Sequence, residues 1–114
     1  MHEMSLVQGL LNQLHDLARE HNKTKVISVC MDIGPLSGVV MDSFQFGFDI
    51  LSQENPLTRG ARLEIVSSPV IYRCSGCDAK IEEESKPQAC PACSETLLYP
   101  EGGDDIILRQ VQME

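Results

Sequence analysis

Four of the five cysteines fall into two Cys-x-x-Cys pairs, Cys74-Ser75-Gly76-Cys77 and Cys90-Pro91-Ala92-Cys93, with twelve residues between them. Each pair sets two sulfurs on one side of a tight turn, where backbone amides can hydrogen-bond them and steady their charge. Two such turns brought together make a tetrahedral site of four sulfurs, which suits Zn2+ at Zn–S distances of about 2.3 Å. Iron takes the same ligand set and is the minor competitor, whereas disulfides seldom persist inside cells. The residues between the pairs are polar, so the metal is expected to supply much of that segment's folding energy. All four positions are filled by protein, which leaves none for water or substrate and points to a structural ion rather than a catalytic one. Cys30 stands apart on a predicted strand and reads as a small buried hydrophobe.

Charge narrows the partners. The 114 residues carry 17 acidic against 9 basic side chains, a formal net charge of −8. Asp78, Glu82, Glu83, Glu84 and Glu95 crowd the cysteine segment. Nucleic-acid binding draws its affinity from Lys and Arg against phosphate, so an RNA- or DNA-binding finger is disfavoured, as is docking on an anionic membrane. The apolar stretches fall short of the ~20 residues a membrane span needs. The start, Met1-His2-Glu3-Met4, has no basic region leading into an apolar run, so no signal peptide is expected and the location expected is cytoplasmic.

Hydrophobic periodicity gives the remaining organisation. Leu6, Leu10, Leu14 and Leu17, widened by Val7, Leu11 and Ala18, form a helical stripe from Ser5 to about His21. Ser5 with Gln8 resembles a capping box, and Asn22 is a plausible stop. Ile27, Val29, Met31 and Ile33 alternate with polar residues over a strand from Val26 to Ile33, which Gly34-Pro35 ends. A second helix is expected from near Asp42 to about Glu54 on a face of Phe44, Phe48 and Leu51, with Asp42 as its N-cap. Ala61, Leu63 and Ile65 mark a second strand, Pro100 to Gly103 a turn or linker, and Ile106 to Met113 a last strand. The fold class is therefore α+β, two helices packed on a small three-stranded sheet with an inserted zinc-ribbon-like domain built on the four cysteines. The expected division is 1–69 plus 103–114 for the main domain and 70–102 for the zinc domain.

The first three residues hold a second possibility. The Met1 amine, the His2 backbone nitrogen and the His2 imidazole can bind one ion through adjoining chelate rings. Three nitrogens in a plane with one open position suit Ni2+ or Cu2+. Glu3, or a carboxylate brought near by folding such as Asp42, would add an oxygen. His15 and His21 are six residues apart and share no helix face, so neither is expected to be a ligand.

Taken together, these features resemble one known family. Met1-His2-Glu3-Met4-Ser5-Leu6 opening an amphipathic helix is similar to the start of the hydrogenase-maturation nickel metallochaperones of the HypA/HybF type. The likeness continues through Ile33-Gly34, Leu36-Ser37-Gly38-Val39, Phe44-Gln45-Phe46 with Phe48, the paired Cys-x-x-Cys turns and the closing strand. The resemblance implies a nickel-binding α+β domain with a zinc domain inserted before its last strand. It implies a non-enzymatic carrier that holds Ni(II) as transient cargo and Zn(II) as structure, and delivers nickel to the [NiFe]-hydrogenase large subunit together with a nickel-handling GTPase. His2 matches the family's nickel ligand, with the Met1 amine and Glu3 beside it, and Cys74, Cys77, Cys90 and Cys93 match its zinc ligands. The auxiliary carboxylate expected after the Ser-Gly turn is replaced by Val39-Val40-Met41, so Asp42 is the nearest candidate.

Two other readings compete. A zinc-ribbon adaptor without a second metal would tolerate replacement of His2, and nickel supply to urease is a variant of the carrier. An enzyme is disfavoured, because the sequence offers no nucleophile–base pairing, no Gly-rich phosphate loop and no open metal position. A monomer and a dimer are both compatible with it.

Overall fold

The computed structural model describes residues 2–83 and 86–114, and of His2 the backbone alone. Its helices are α1 (His2–Glu20) and α2 (Met41–Leu51), the latter continued by a 3-10 turn at Ser52–Glu54. Its strands are β1 (Val26–Ile33), β2 (Arg62–Val66), β3 (Val70–Cys74), β4 (Lys80–Glu83), β5 (Leu98–Glu101) and β6 (Ile106–Met113). By contact the chain divides into two compact units. One comprises Met1–Asp32, Val39–Val66 and Ile107–Glu114, the other Ile33–Gly38 and Ser67–Ile106.

In the first unit a three-stranded sheet runs in the order β2-β1-β6. β1 and β2 are parallel, Val29 opposite Leu63 and Met31 opposite Ile65, because α2 carries the chain back between them. β6 runs antiparallel to β1: Thr24 and Lys25 pair with Glu114 at one end, and Gly34 pairs with Asp105 at the other. Strand alternation decides which face is covered. Val26, Val29 and Met31 are buried, together with Val7, Leu10, Leu11, Leu14 and Ala18 of α1 and Phe44 and Phe48 of α2. Gly47 is also buried and lets α1 approach, since a Cβ there would lie 2.8 Å from Met4 Sδ.

The opposite face of this sheet is polar. Ser28 Oγ donates to Gln112 Oε1 at 3.4 Å, and Arg109 pairs with Asp32 at 3.2 Å. Cys30 lies on this face half-buried, its Sγ 3.7 Å from Glu64 Oε1, which corrects the expectation of a buried hydrophobe. The reason is register: from Ser28 onward the strand alternates, Val29, Met31 and Ile33 inward and Cys30 with Asp32 away, whereas Val26 is buried at the strand's start. Partial burial and the Glu64 carboxylate push its thiol pKa up.

The second unit has a sheet of its own, β4-β3-β5, antiparallel throughout. Val70, Tyr72 and Cys74 alternate inward along β3 and pack with Cys90 and Leu98 into a small buried cluster. The cysteine segment thus has an apolar nucleus, although two of its five buried members are the cysteines themselves. Pro100 and Glu101, expected in a turn, instead close β5, where Pro100 sits opposite Tyr72. An edge strand tolerates a proline where the missing N–H would have pointed outward, away from any partner. The turn begins at Gly102 and Gly103, with φ of 79° and 83°.

Ile33–Gly38 packs on the far end of this unit. Gly34 N–H donates to Asp105 O at 2.8 Å, and Leu36 N–H to Gly103 O at 2.7 Å. The approach is so close that a Cβ on Gly34 would lie 2.2 Å from Gly103 O, and one on Gly103 would lie 2.6 Å from Val70 Cγ2.

Candidate metal centres

The two Cys-x-x-Cys turns repeat one local design. Asp78 N–H donates to Cys74 O at 3.1 Å, and Ser94 N–H to Cys90 O at 2.8 Å, closing each pair into a loop. The residue after each second cysteine carries the reversal, Asp78 at φ 62° and Ser94 at φ 68°. Asp and Asn reach this left-handed region more readily than most residues, and serine is the less usual choice. Inside each loop an amide points at sulfur: Gly76 N–H to Cys74 Sγ at 3.3 Å and Ala92 N–H to Cys90 Sγ at 3.4 Å. The sulfur-directed amides expected from the spacing are present.

Together the loops bring all four sulfurs within 4.8 Å of one another. Cys74 and Cys93 Sγ are 3.4 Å apart, and Cys77 and Cys90 Sγ 3.7 Å. A tetrahedron with Zn–S bonds of about 2.3 Å has edges of about 3.8 Å, so the donor set fits zinc with little adjustment. Each turn contributes one buried sulfur, Cys74 or Cys90, and one exposed, Cys77 or Cys93. The buried pair belongs to the apolar cluster, so metal site and core are one object.

Electrostatics explains why the cluster needs a cation. The Cys77 and Gly76 amides pull Cys74 down to about 7 against the cost of burial. Glu95's amide also favours the Cys93 thiolate, but the neighbouring Cys74 and Cys77 sulfurs outweigh it and push Cys93 up to about 12. One thiolate therefore forms near neutral pH while another resists far above it. A divalent ion removes that conflict by neutralising the charge as it develops.

The other candidate residues lie in the first unit. Met1 and the His2 side chain fall outside the described residues. The His2 backbone opens α1, three residues earlier than the expected cap at Ser5, which lies exposed within the helix. Tertiary contacts override that local signal. Glu3 meets the start of α2, and Met4 seats against Gly47. The first four N–H groups of a helix lack an intrahelical acceptor, so the His2 nitrogen is not committed to the helical ladder.

Glu3 and Asp42, distant in sequence, come together on one cleft of about 490 Å3, lined also by Met4, Ser43 and Phe46. Asp42 is exposed in the first turn of α2 and is not its N-cap. That position belongs to Val40, which has no side-chain cap bond, while its own N–H donates to Glu3 Oε2 at 3.3 Å. His15 lines a separate cleft with Gln8, Asn12 and Glu54, and His21 is exposed beyond α1. Among the described residues, the four cysteines are the one group of three or more ligating side chains arranged to hold a metal. The roles of Val40 and Gly47 had no sequence signal, because each depends on what α1 does next to α2.

Comparison with known proteins places this arrangement. Residues 1–113 match the family model described as hydrogenase/urease nickel incorporation, metallochaperone, hypA. A hydrogenase maturation factor HypA of Alkalilimnicola ehrlichii is 37% identical over 114 residues, 100% of each chain. HypA 2 of Bradyrhizobium diazoefficiens is 32% identical over the same span. Among solved structures, the Ni metallochaperone HypA from Helicobacter pylori superposes with a TM-score of 0.67 at 22% identity, covering 97% of this chain and 96% of that one. A second HypA solution structure gives 0.71 at 23% identity, covering 100% and 97%. At that identity the two structures speak for the fold.

Proposed function

The chain belongs to the HypA family of nickel-incorporation metallochaperones, and on that premise we propose that it binds Ni(II) at its N-terminus and hands it on for [NiFe]-hydrogenase maturation. The observation that carries this reading is the family match over residues 1–113, which spans both the His2 end and the four cysteines. In this reading the Met1 amine with the His2 backbone nitrogen and imidazole forms the chelate, and Glu3 or Asp42 supplies a nearby carboxylate. Residues 1–69 and 103–114 form the nickel-binding part and 70–102 the zinc-binding part. Cys74, Cys77, Cys90 and Cys93 hold Zn(II) permanently, while Ni(II) is cargo.

The chemistry of the two sites supports this division of labour. Four thiolates at a buried core retain their ion, whereas a terminal chelate can release one. The protein transfers metal and catalyses nothing. Its recipients are the hydrogenase large subunit and a nickel-handling GTPase, and it works in the cytoplasm. Among the described residues no helix is long and apolar enough to cross a membrane. Hydrogenase is favoured over urease as the destination because the curated relatives that match along the whole chain are hydrogenase maturation factors.

The test is metal analysis and Ni2+ titration of tag-free protein with its native Met1, beside His2→Ala. Nickel binding should be lost in the variant while zinc is retained in both. Zinc without nickel binding, or nickel binding indifferent to His2, would leave the adaptor reading in its place.

A further inference from the structure

Resting on that N-terminal nickel site, we propose that Glu3 is a positioning residue rather than a nickel ligand: its carboxylate caps α2 and thereby fixes the start of α1. The starting point is a deficiency in α2. Helix N-termini favour Ser, Thr, Asp or Asn at the cap, whose side-chain oxygen serves one of the orphan N–H groups. Here the cap is Val40, which has no such oxygen. The acceptor comes instead from the other helix, Glu3 Oε2 at 3.3 Å from the Val40 nitrogen. A carboxylate at this point is favoured twice, by the charge-assisted hydrogen bond and by the positive end of the helix dipole.

A second contact fixes the same turn of α1. Met4 follows Glu3 and occupies the notch left by Gly47, where an added Cβ would lie 2.8 Å from Met4 Sδ and 3.4 Å from Val7 Cγ2. Consecutive residues of α1 are thus tied to two separate points on α2, one polar and one steric. α1 cannot turn about its axis or slide along α2 without breaking both. His2 precedes Glu3 directly, so its backbone nitrogen is set by these two contacts. For Glu3 to ligate nickel with the same oxygen it would have to abandon the cap. The carboxylate beside the chelate is then Asp42, exposed on the same cleft.

Glutamine separates the two roles, because its amide oxygen still accepts from Val40 but is a far poorer metal donor than a carboxylate. The experiment titrates Ni2+ into tag-free wild type, Glu3→Ala and Glu3→Gln, and follows hydrogen exchange at the Val40 amide, with protection of the β1 amides confirming that the first unit is folded in each protein. Glu3→Ala should weaken nickel about 10-fold, the lower range for groups that orient metal ligands, and should speed Val40 exchange. Glu3→Gln should restore both. Gln as weak as Ala with Val40 still protected would make Glu3 a ligand and overturn the proposal. Wild-type affinity in Glu3→Ala would overturn it as well. If the wild type shows no nickel site dependent on His2, the functional reading fails and this role falls with it, whereas an intact site indifferent to Glu3 removes the positioning role alone.

Discussion

Removing zinc should unfold one unit and spare the other. The buried cluster of the second unit has five members, and two of them, Cys74 and Cys90, belong to the four-sulfur group that fits zinc. The remaining three, Val70, Tyr72 and Leu98, are 1–2% exposed. At about 1.5–3 kcal/mol for each fully buried apolar side chain, they contribute at most about 9 kcal/mol. Structural zinc in small Cys/His modules contributes about 10–16 kcal/mol at neutral pH, so the ion outweighs the apolar nucleus. Chelation also leaves four thiols to share a site that favours only partial ionisation. The first unit has no such dependence, with Val7, Leu14, Val26, Val29, Phe44 and Phe48 all at 0–1% exposure. Hydrogen exchange after zinc removal should therefore show loss of protection across β3, β4 and β5, with α1 and β1 still protected. Protection persisting in β3 after chelation would refute the reasoning, because the apolar cluster would then hold the unit alone.

Three further outcomes are expected. Zinc binding requires thiolates, and in a unit that loses its fold without metal all four cysteines must release their protons to bind it. A competition titration should therefore show zinc affinity declining as pH falls below the ordinary thiol range of about 8.5. Gly34→Ala should destabilise by about 1–3 kcal/mol, because its Cβ would sit 2.2 Å from a backbone oxygen that has no rotamer to escape into. Gly9→Ala, with nothing within 4 Å of the new methyl, should stabilise α1 by about 0.5–1 kcal/mol. Thermal melts in which both substitutions behave alike would contradict this account.

Much of this was legible in the sequence where a single element decides the outcome. The limits of β1 and β6 follow from alternation and turn residues, and the four-sulfur geometry follows from two short loops whose local bonding needs no tertiary help. What was not legible depends on contacts between elements. α1 reaches back to His2 because Glu3 and Met4 find partners on α2, and a capping-box pattern at Ser5 contains no trace of those partners. α2 is capped at Val40 rather than at Asp42 for the same reason. The strands β3 and β5 were hidden differently. Val70, Tyr72 and Cys74 alternate plainly, but Pro100 and the acidic surroundings masked the pairing that makes them a sheet. Cys30 shows that a half-buried strand position is set by which face the helices cover, a property of the sheet as a whole.

The return of Ile33–Gly38 to the second unit, described above as a set of close glycine contacts, also bears on the order of synthesis. The chain passes from one unit to the other four times, after Asp32, Gly38, Val66 and Ile106. Emerging from the ribosome, α1, β1, α2 and β2 appear first, but β1 lacks its neighbour β6 until the whole zinc segment has followed. Cys74 to Cys93 emerge ahead of that strand, which is still held in the ribosomal tunnel. Zinc can therefore be acquired while the nascent first unit is still one strand short. The glycine contacts at Gly103 then form just ahead of β6, bringing its start beside the end of β1 where pairing begins. In zinc-starved cells the first unit should still close on β6, and proteases should cut the chain within β3 to β5 while β1 stays protected.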